Sequence, residues 1–262
     1  MFRTLTLATC VLIASAMPTV AVAQGDAGSR TRIALGPQLV PQYPGADSVV
    51  VRPLIDIARG RTDQDFAFEA VDESFGVTLL RGEGFKVGPS LGFQGKRRSS
   101  DVGGVLPEVG FSFEIGGFAQ YDLSDNFRVR GEVRQGVSGH DGLIANVSAD
   151  VVLRSGDDTV FSAGPRVTLA DDTYQNAYFG VAPADAFASG LPAYDAGGGV
   201  QSVGGTVGLI QQFTPRWGIY SYAKYDRLVS DAADSPVVAA FGSRNQYSGG
   251  VALTYTFDGG LF

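Results

Sequence analysis

The chain has 262 residues, with 20 Lys+Arg against 27 Asp+Glu and a formal net charge of −7. An acidic chain with no basic cluster lacks the cations that neutralise phosphates, so no nucleic-acid partner is expected. The single cysteine is Cys10, so the chain beyond it holds neither disulfides nor thiolate metal sites.

The N-terminus reads as an export signal. Arg3 supplies the positive end, Leu5 to Met17 the apolar stretch, and Ala21-Val22-Ala23 a small-x-small cleavage site. A signal peptide over 1–23 and a mature domain over 24–262 are expected. Losing Arg3 and no acid takes the formal charge from −7 to −8. Leu7-Ala8-Thr9-Cys10 only faintly matches a lipoprotein box, because Thr9 is poorly suited before the Cys and almost no apolar stretch precedes it. No later segment reaches 18 apolar residues, so no transmembrane helix is predicted. The 36 glycines are scattered rather than bunched into a linker, which favours one domain.

Alternation gives about twelve strands, near 30–39, 51–59, 65–70, 75–81, 85–94, 108–121, 126–138, 143–154, 159–169, 202–213, 217–228 and 246–257. The last is the cleanest. Tyr247, Gly249, Val251, Leu253, Tyr255 and Phe257 share one face, while Gln246, Ser248, Gly250, Ala252, Thr254 and Thr256 share the other. Repeated behind an export signal, this pattern predicts an all-β, antiparallel transmembrane β-barrel, greasy outside and polar inside. Closure is expected because lipid tolerates no open edge. The gaps 60–64, 82–84, 122–125, 155–158 and 214–216 are short, as periplasmic turns are. The gaps 40–50, 95–107, 170–201 and 229–245 are long, as extracellular loops are. Tyr121, Phe127, Phe213, Trp217, Tyr255 and Phe257 fall near strand ends and suit an interfacial girdle, although aromatics favour strands in any case.

The inner faces carry charge. Arg128, Arg130, Glu132 and Arg134 alternate with outward Val129, Gly131 and Val133, and the preceding strand turns Glu114 and Gln120 inward. Lys224 and Asp226, with Lys86, Asp150, Arg154 and Arg166, fall on inner faces too. At the bilayer midplane a lipid-facing Arg or Lys costs about 2–4 kcal/mol, so these residues are expected to line the lumen. Two readings remain open: an ion-paired filling, or an ion or solute pathway. The mixed signs disfavour strong ion selectivity.

Catalysis has little to build on. Serine chemistry needs a base, normally His, and the one His, His140, sits in the turn Ser138-Gly139-His140-Asp141, where a solvated His is expected. One His without a mature Cys makes no zinc site. Gly103-Gly104 and Gly197-Gly198-Gly199 lack the strand–helix setting of phosphate loops. Catalytic residues, metals and cofactors are therefore not expected, and an outer-membrane hydrolase is a remote alternative.

The loops carry the most specific segments: Tyr43-Pro44-Gly45-Ala46-Asp47, Tyr178-Phe179-Gly180-Val181, Tyr194, and Asp231-Ala232-Ala233-Asp234-Ser235-Pro236. With the signal peptide and the last strand, they make the chain resemble the MipA/OmpV family of outer-membrane proteins over essentially its mature length. The resemblance implies a non-catalytic outer-membrane barrel whose partners, besides lipid, are a murein synthase and a lytic transglycosylase. Its alternatives are a surface adhesin or a restricted small-solute channel. Tyr43, Pro44, Gly45, Asp47, Tyr178, Phe179, Tyr194, Asp231, Asp234, Ser235 and Pro236 are then candidate partner-binding residues. Asp258-Gly259-Gly260-Leu261-Phe262 departs from the family habit of ending on the last strand's aromatic, which leaves Phe257 and Phe262 as rival assembly signals. The 170–201 loop is too long for a mere connection. It is expected to fold over the lumen, with a short helix at 183–189 that turns Ala186 and Phe187 toward the mouth.

Overall fold

The computed structural model describes residues 28–259. The expected signal peptide and the terminal Leu261-Phe262 lie outside them. Strands β1 (Ser29–Pro41), β2 (Val49–Arg61), β3 (Phe75–Gly76), β4 (Leu80–Arg81), β5 (Phe85–Gln94), β6 (Ser112–Ser124), β7 (Phe127–Gly136), β8 (Leu143–Ser155), β9 (Thr159–Ala170), β10 (Gly199–Gln212), β11 (Trp217–Leu228) and β12 (Asn245–Asp258) form one antiparallel sheet. Its order is β2-β1-β12-β11-β10-β9-β8-β7-β6-β5-β3, with β4 also on β5. The β1–β12 pairing, from Arg30↔Asp258 to Leu39↔Gly249, joins the two ends of the chain and curls the sheet.

Alternation sorts the side chains. Leu35, Ile55, Ile115, Val147, Val207 and Leu253 are exposed on the outer face, whereas Arg128, Glu132, Asp150 and Arg166 are buried inside. Apolar exposure running right round the wall is tolerable only against lipid tails. The fold is an antiparallel transmembrane β-barrel, with long extracellular loops and short periplasmic turns at 82–84, 125–126, 156–158 and 213–216.

The third predicted strand is not in the wall. Residues 62–74 leave the periplasmic end of β2, enter the lumen and climb inside it. Phe66 lies beneath Arg30 and Arg32, whose guanidinium carbons are 4.3 and 4.7 Å from the ring centre, and Phe68 lies 4.4 Å from Arg128. Phe68 and Val71 also pack on the inward cluster of Ala34, Leu54, Val152, Val160, Ile210, Tyr220 and Ala252. Rings that alternate to suit a wall strand suit a cationic, partly apolar lumen as well. The expected strand at 75–81 then descends along β5 as two fragments, paired at Phe75↔Leu91 and Leu80↔Val87. β2 and β3 therefore both run toward the periplasm, and no pairing joins them. The expected closure by hydrogen bonds fails at this seam, and β2 carries a free edge with Pro53 in it, a residue an edge tolerates because it cannot donate. Residues 108–111 likewise stay outside β6, apart from one Arg97↔Val109 bridge.

The extracellular loops form a cap. Helices α1 (Asp172–Phe179), α2 (Pro183–Ser189), α3 (Ser230–Asp234) and α4 (Pro236–Phe241) pack with the loops at 42–48 and 95–111. The core of the cap includes Tyr43, Val102, Leu106, Tyr174, Tyr178, Phe179, Val237 and Val238, all buried. Helix α2 occupies 183–189 and Ala186 packs inward, but Phe187 is 98% exposed rather than turned to the mouth. The inward side of this short helix needs only a methyl-sized group.

Gly45 shows how tight the cap is. Its φ is +90°, and a Cβ placed there would lie 2.9 Å from Phe179 and 3.2 Å from Val238. Gly45→Val should cost about 1–3 kcal/mol through overpacking. The measurement is amide exchange over 172–198, which should speed up; unchanged exchange would contradict this packing.

Candidate functional site: a charged lumen between cap and plug

The lumenal polar groups form one continuous chain, a His140 hydrogen bond at its head and ion pairs beyond it. His140 Nε2 lies 3.0 Å from Glu114 Oε1, and Arg134 Nε lies 2.7 Å from Glu114 Oε2. Arg134 also contacts Glu132, which Arg130 reaches at 3.2 Å. Arg130 and Arg128 both face Glu73, at 3.8 Å for Arg130. Asp150 sits between Arg128 at 3.0 Å and Arg166 at 2.8 Å. Arg166 Nε is 2.8 Å from Asp72 Oδ2, Lys224 is 3.2 Å from that oxygen, and Lys224 closes the chain on Asp226 at 3.2 Å.

Asp72 and Glu73 belong to the internal segment, not the wall, as does Ser74, which donates to Glu132. The segment thus places two carboxylates among four cations of the opposite wall: Arg128, Arg130, Arg166 and Lys224. Thr206 Oγ1 donates to Asp72 at 3.0 Å. Below the ion pairs a vestibule of about 530 Å³ opens at the periplasmic end, lined by Asp65, Phe66, Phe68, Arg81, Lys86, Asp122, Asp125 and Arg154. Above them a chamber of about 300 Å³ lies under the cap, with Tyr43, Gly45 and Tyr174 overhead and Arg134, Asn146, Lys224 and Asp226 at its sides.

The structure therefore brings Arg128, Arg130, Glu132, Arg134, Glu114, Lys224 and Asp226 into one network, with Asp150 and Arg166. Sequence reasoning missed Asp72, Glu73 and Ser74, because it put the preceding residues in the wall. No local signal marked them, since Asp72-Glu73 falls in the gap between the expected strands 65–70 and 75–81, where adjacent acids are ordinary.

The loop candidates hold the cap together. Ser235 Oγ caps α4 by accepting from Val237 N at 3.1 Å and donates to the Phe179 carbonyl at 2.6 Å, with Pro236 at the first helical position. Tyr194 donates to the Asp231 carbonyl at 2.9 Å, and Asp231 accepts from Gly197 N at 2.7 Å. Arg97 donates to the Tyr178 carbonyl at 2.7 Å. Burial pushes the Tyr178 phenol up to about 12 and that of Tyr174 well above its ordinary value, so both remain neutral core residues. Tyr43, Gly45, Tyr178, Phe179 and Ser235 are buried, Pro44, Tyr194, Asp231 and Pro236 partly so, and only Asp47 and Asp234 are exposed, the latter paired with Arg244 at 3.2 Å.

His140 is not solvated. It is 2% exposed and packs edge-on to Tyr174 at 4.6 Å. Its Nδ1 accepts from Gly142 N at 3.1 Å, which assigns the Nε2 proton to the Glu114 bond. Both ring nitrogens are occupied, and Ser138 Oγ donates instead to the Phe111 carbonyl at 3.2 Å. No nucleophile–base pair forms there.

A family model described as "MltA-interacting protein MipA" matches residues 33–257. The chain belongs to the MipA family. The curated proteins compared contain no match. Solved structures it is similar to include a KdgM porin (9% identity, covering 87% of this chain and 99% of that one, TM-score 0.39). Two more are the COG4313 outer membrane channel from Pseudomonas putida F1 (8%, 92% and 100%, 0.38) and OmpT, an outer membrane protein of Vibrio cholerae (10%, 91% and 100%, 0.36). In this MipA-family chain the matched span runs from β1 to β12 and includes the internal segment and all four cap helices.

Asp150 is a direct probe of the network, because it sits between two buried guanidinium groups, and its removal leaves Arg128 only Glu73 and Arg166 only Asp72 as carboxylate partners. Asp150→Ala should cost about 1.5–3 kcal/mol, the loss of charged hydrogen bonds whose guanidinium donors each keep one other carboxylate. Urea unfolding of the refolded barrel measures it, and a loss below about 1 kcal/mol would mean that water already screens these charges.

Proposed function

We propose that the chain is a non-catalytic, non-conducting outer-membrane barrel, exported by a cleaved signal peptide, that serves as a membrane anchor for murein-acting enzymes. The observation that carries it is the lumen's occupation by the chain's own segment 62–74, below an independent cap of packed loops. A lumen obstructed at two levels does not suit a pore. The family description names a partner of other members, the lytic transglycosylase MltA, and a murein synthase is the second partner the resemblance implies.

The periplasmic face supports this reading better than the short turns alone. Three- to five-residue turns offer little against the roughly 800 Å² per partner of a standard interface. Residues 62–68 add a further stretch of chain there, and the vestibule presents a mixed-charge lining around the two phenylalanines. Arg81 and Asp125 make no ion pair among the described residues and are exposed, so a partner reaches them without first breaking a bond. The chamber under the cap favours the restricted-solute reading, but only as a place for a solute to rest.

Co-purification of the full-length protein from detergent-solubilised membranes with a lytic transglycosylase tests the anchor. Recovery is expected with the intact chain and should fall at least about tenfold in Arg81→Glu/Asp125→Arg, since reversed rim charges repel where they previously steered. Equal recovery with both would remove the vestibule from the interface. Steady single-channel conductance of the intact chain would contradict the anchor reading itself.

A further inference from the structure

The chamber under the cap has a side wall that the sheet does not close. β2 has no partner on its outer edge, and β5 has none above Leu91, where its pairing with β3 ends. The two free edges come together at the chamber. Arg52 of β2 and Gln94 of β5 both line it, and the Arg52 guanidinium reaches across to Gly95, where a Cβ would lie 2.0 Å from Nη2. That Nη2 donates to the Gln42 carbonyl at 3.1 Å. Among the described residues Arg52 makes no ion pair. One flexible side chain, rather than a ladder of backbone bonds, spans the wall here.

The two sides of the opening differ in polarity. On the outer face the neighbours of Arg52 and Gln94 in sequence, Val51 of β2 and Phe93 of β5, are 70% and 50% exposed. Inside, Gln201 is 95% buried and its Oε1 has no hydrogen-bond partner, and the same holds for the buried Asp226 Oδ1; both residues line the chamber. A buried acceptor without a donor is destabilising, so the chamber is short of donors deep inside and of an anion at its edge. At about 30 Å³ per water, its roughly 300 Å³ takes a head of some ten non-hydrogen atoms.

The geometry points to a lateral binding site for an anionic amphiphile. Its charged head lies against Arg52, its hydroxyl or amine groups donate to Gln201 and Asp226, and its chain leaves between Val51 and Phe93 into the bilayer. Charge complementarity selects the anion, and the apolar flanks select the chain. This site is independent of the periplasmic anchor.

Residues 24–262 contain no cysteine, so single labels are clean. Refolded Val51→Cys carrying an environment-sensitive fluorophore is titrated with lysophosphatidylglycerol bearing a nitroxide on its chain, and Leu253→Cys on another part of the wall serves as reference. Quenching should saturate at position 51 and only rise linearly at 253. In the Arg52→Gln background half-saturation should shift at least about tenfold, the effect of losing a hydrogen bond to a charged group. Arg52→Lys should recover part of it, which separates charge from misfolding. Equal quenching at 51 and 253, no shift with Arg52→Gln, or equal binding of the phosphocholine analogue would overturn the assignment. Competition by glycerol phosphate as effective as by the whole lipid would overturn the lateral route.

Discussion

The attachment of an internal acidic segment to a wall of arginines is the interaction on which the rest depends. Asp72 and Glu73 reach Arg128, Arg130, Arg166 and Lys224 from inside the barrel. Without them, four inward cations would share too few carboxylates, in a space where each unpaired charge is costly. With them, one stretch of chain fills the lumen, neutralises the wall and ties β7, β9 and β11 to a segment that leaves β2 at the far side of the seam. The ties matter because that seam lacks backbone pairing. Side-chain ion pairs across the lumen do there what a hydrogen-bond ladder does elsewhere.

The cap shows how family-specific loop residues can serve structure first. Tyr43 and Gly45 fit against Phe179 and Val238, Ser235 joins α4 to the end of α1, and Tyr194 joins two loops through the Asp231 carbonyl. A motif read from sequence as a binding surface is here mostly a set of contacts between loops that would otherwise lie loose over the mouth. The surface left to a partner is small and acidic at Asp47 and Asp234, and apolar at Phe187.

Much of the wall was legible because strand alternation is a local property. β7, β8 and β12 keep a strict inside–outside pattern, and the inward charges of β7 could be named before any pairing was known. The lumenal segment was not legible for the same reason. Phe66, Phe68 and Ala70 alternate as a wall strand does, and period two records only that one face is apolar, not whether that face meets lipid or a guanidinium plane. Only the pairing of β5 with 75–81, a non-local fact, removes 65–70 from the wall. The expectation for His140 failed similarly: a turn sequence suggested solvent, but α1, much later in the chain, packs Tyr174 edge-on against the ring.

Single-channel recording with the cap shortened over 171–198 tests the lumenal attachment most directly, comparing native Asp72 and Glu73 with Asp72→Asn/Glu73→Gln. Silence is expected while the carboxylates hold the segment in place, and conductance once they are neutralised. Steady conductance from the cap-shortened barrel with both carboxylates intact would contradict that attachment.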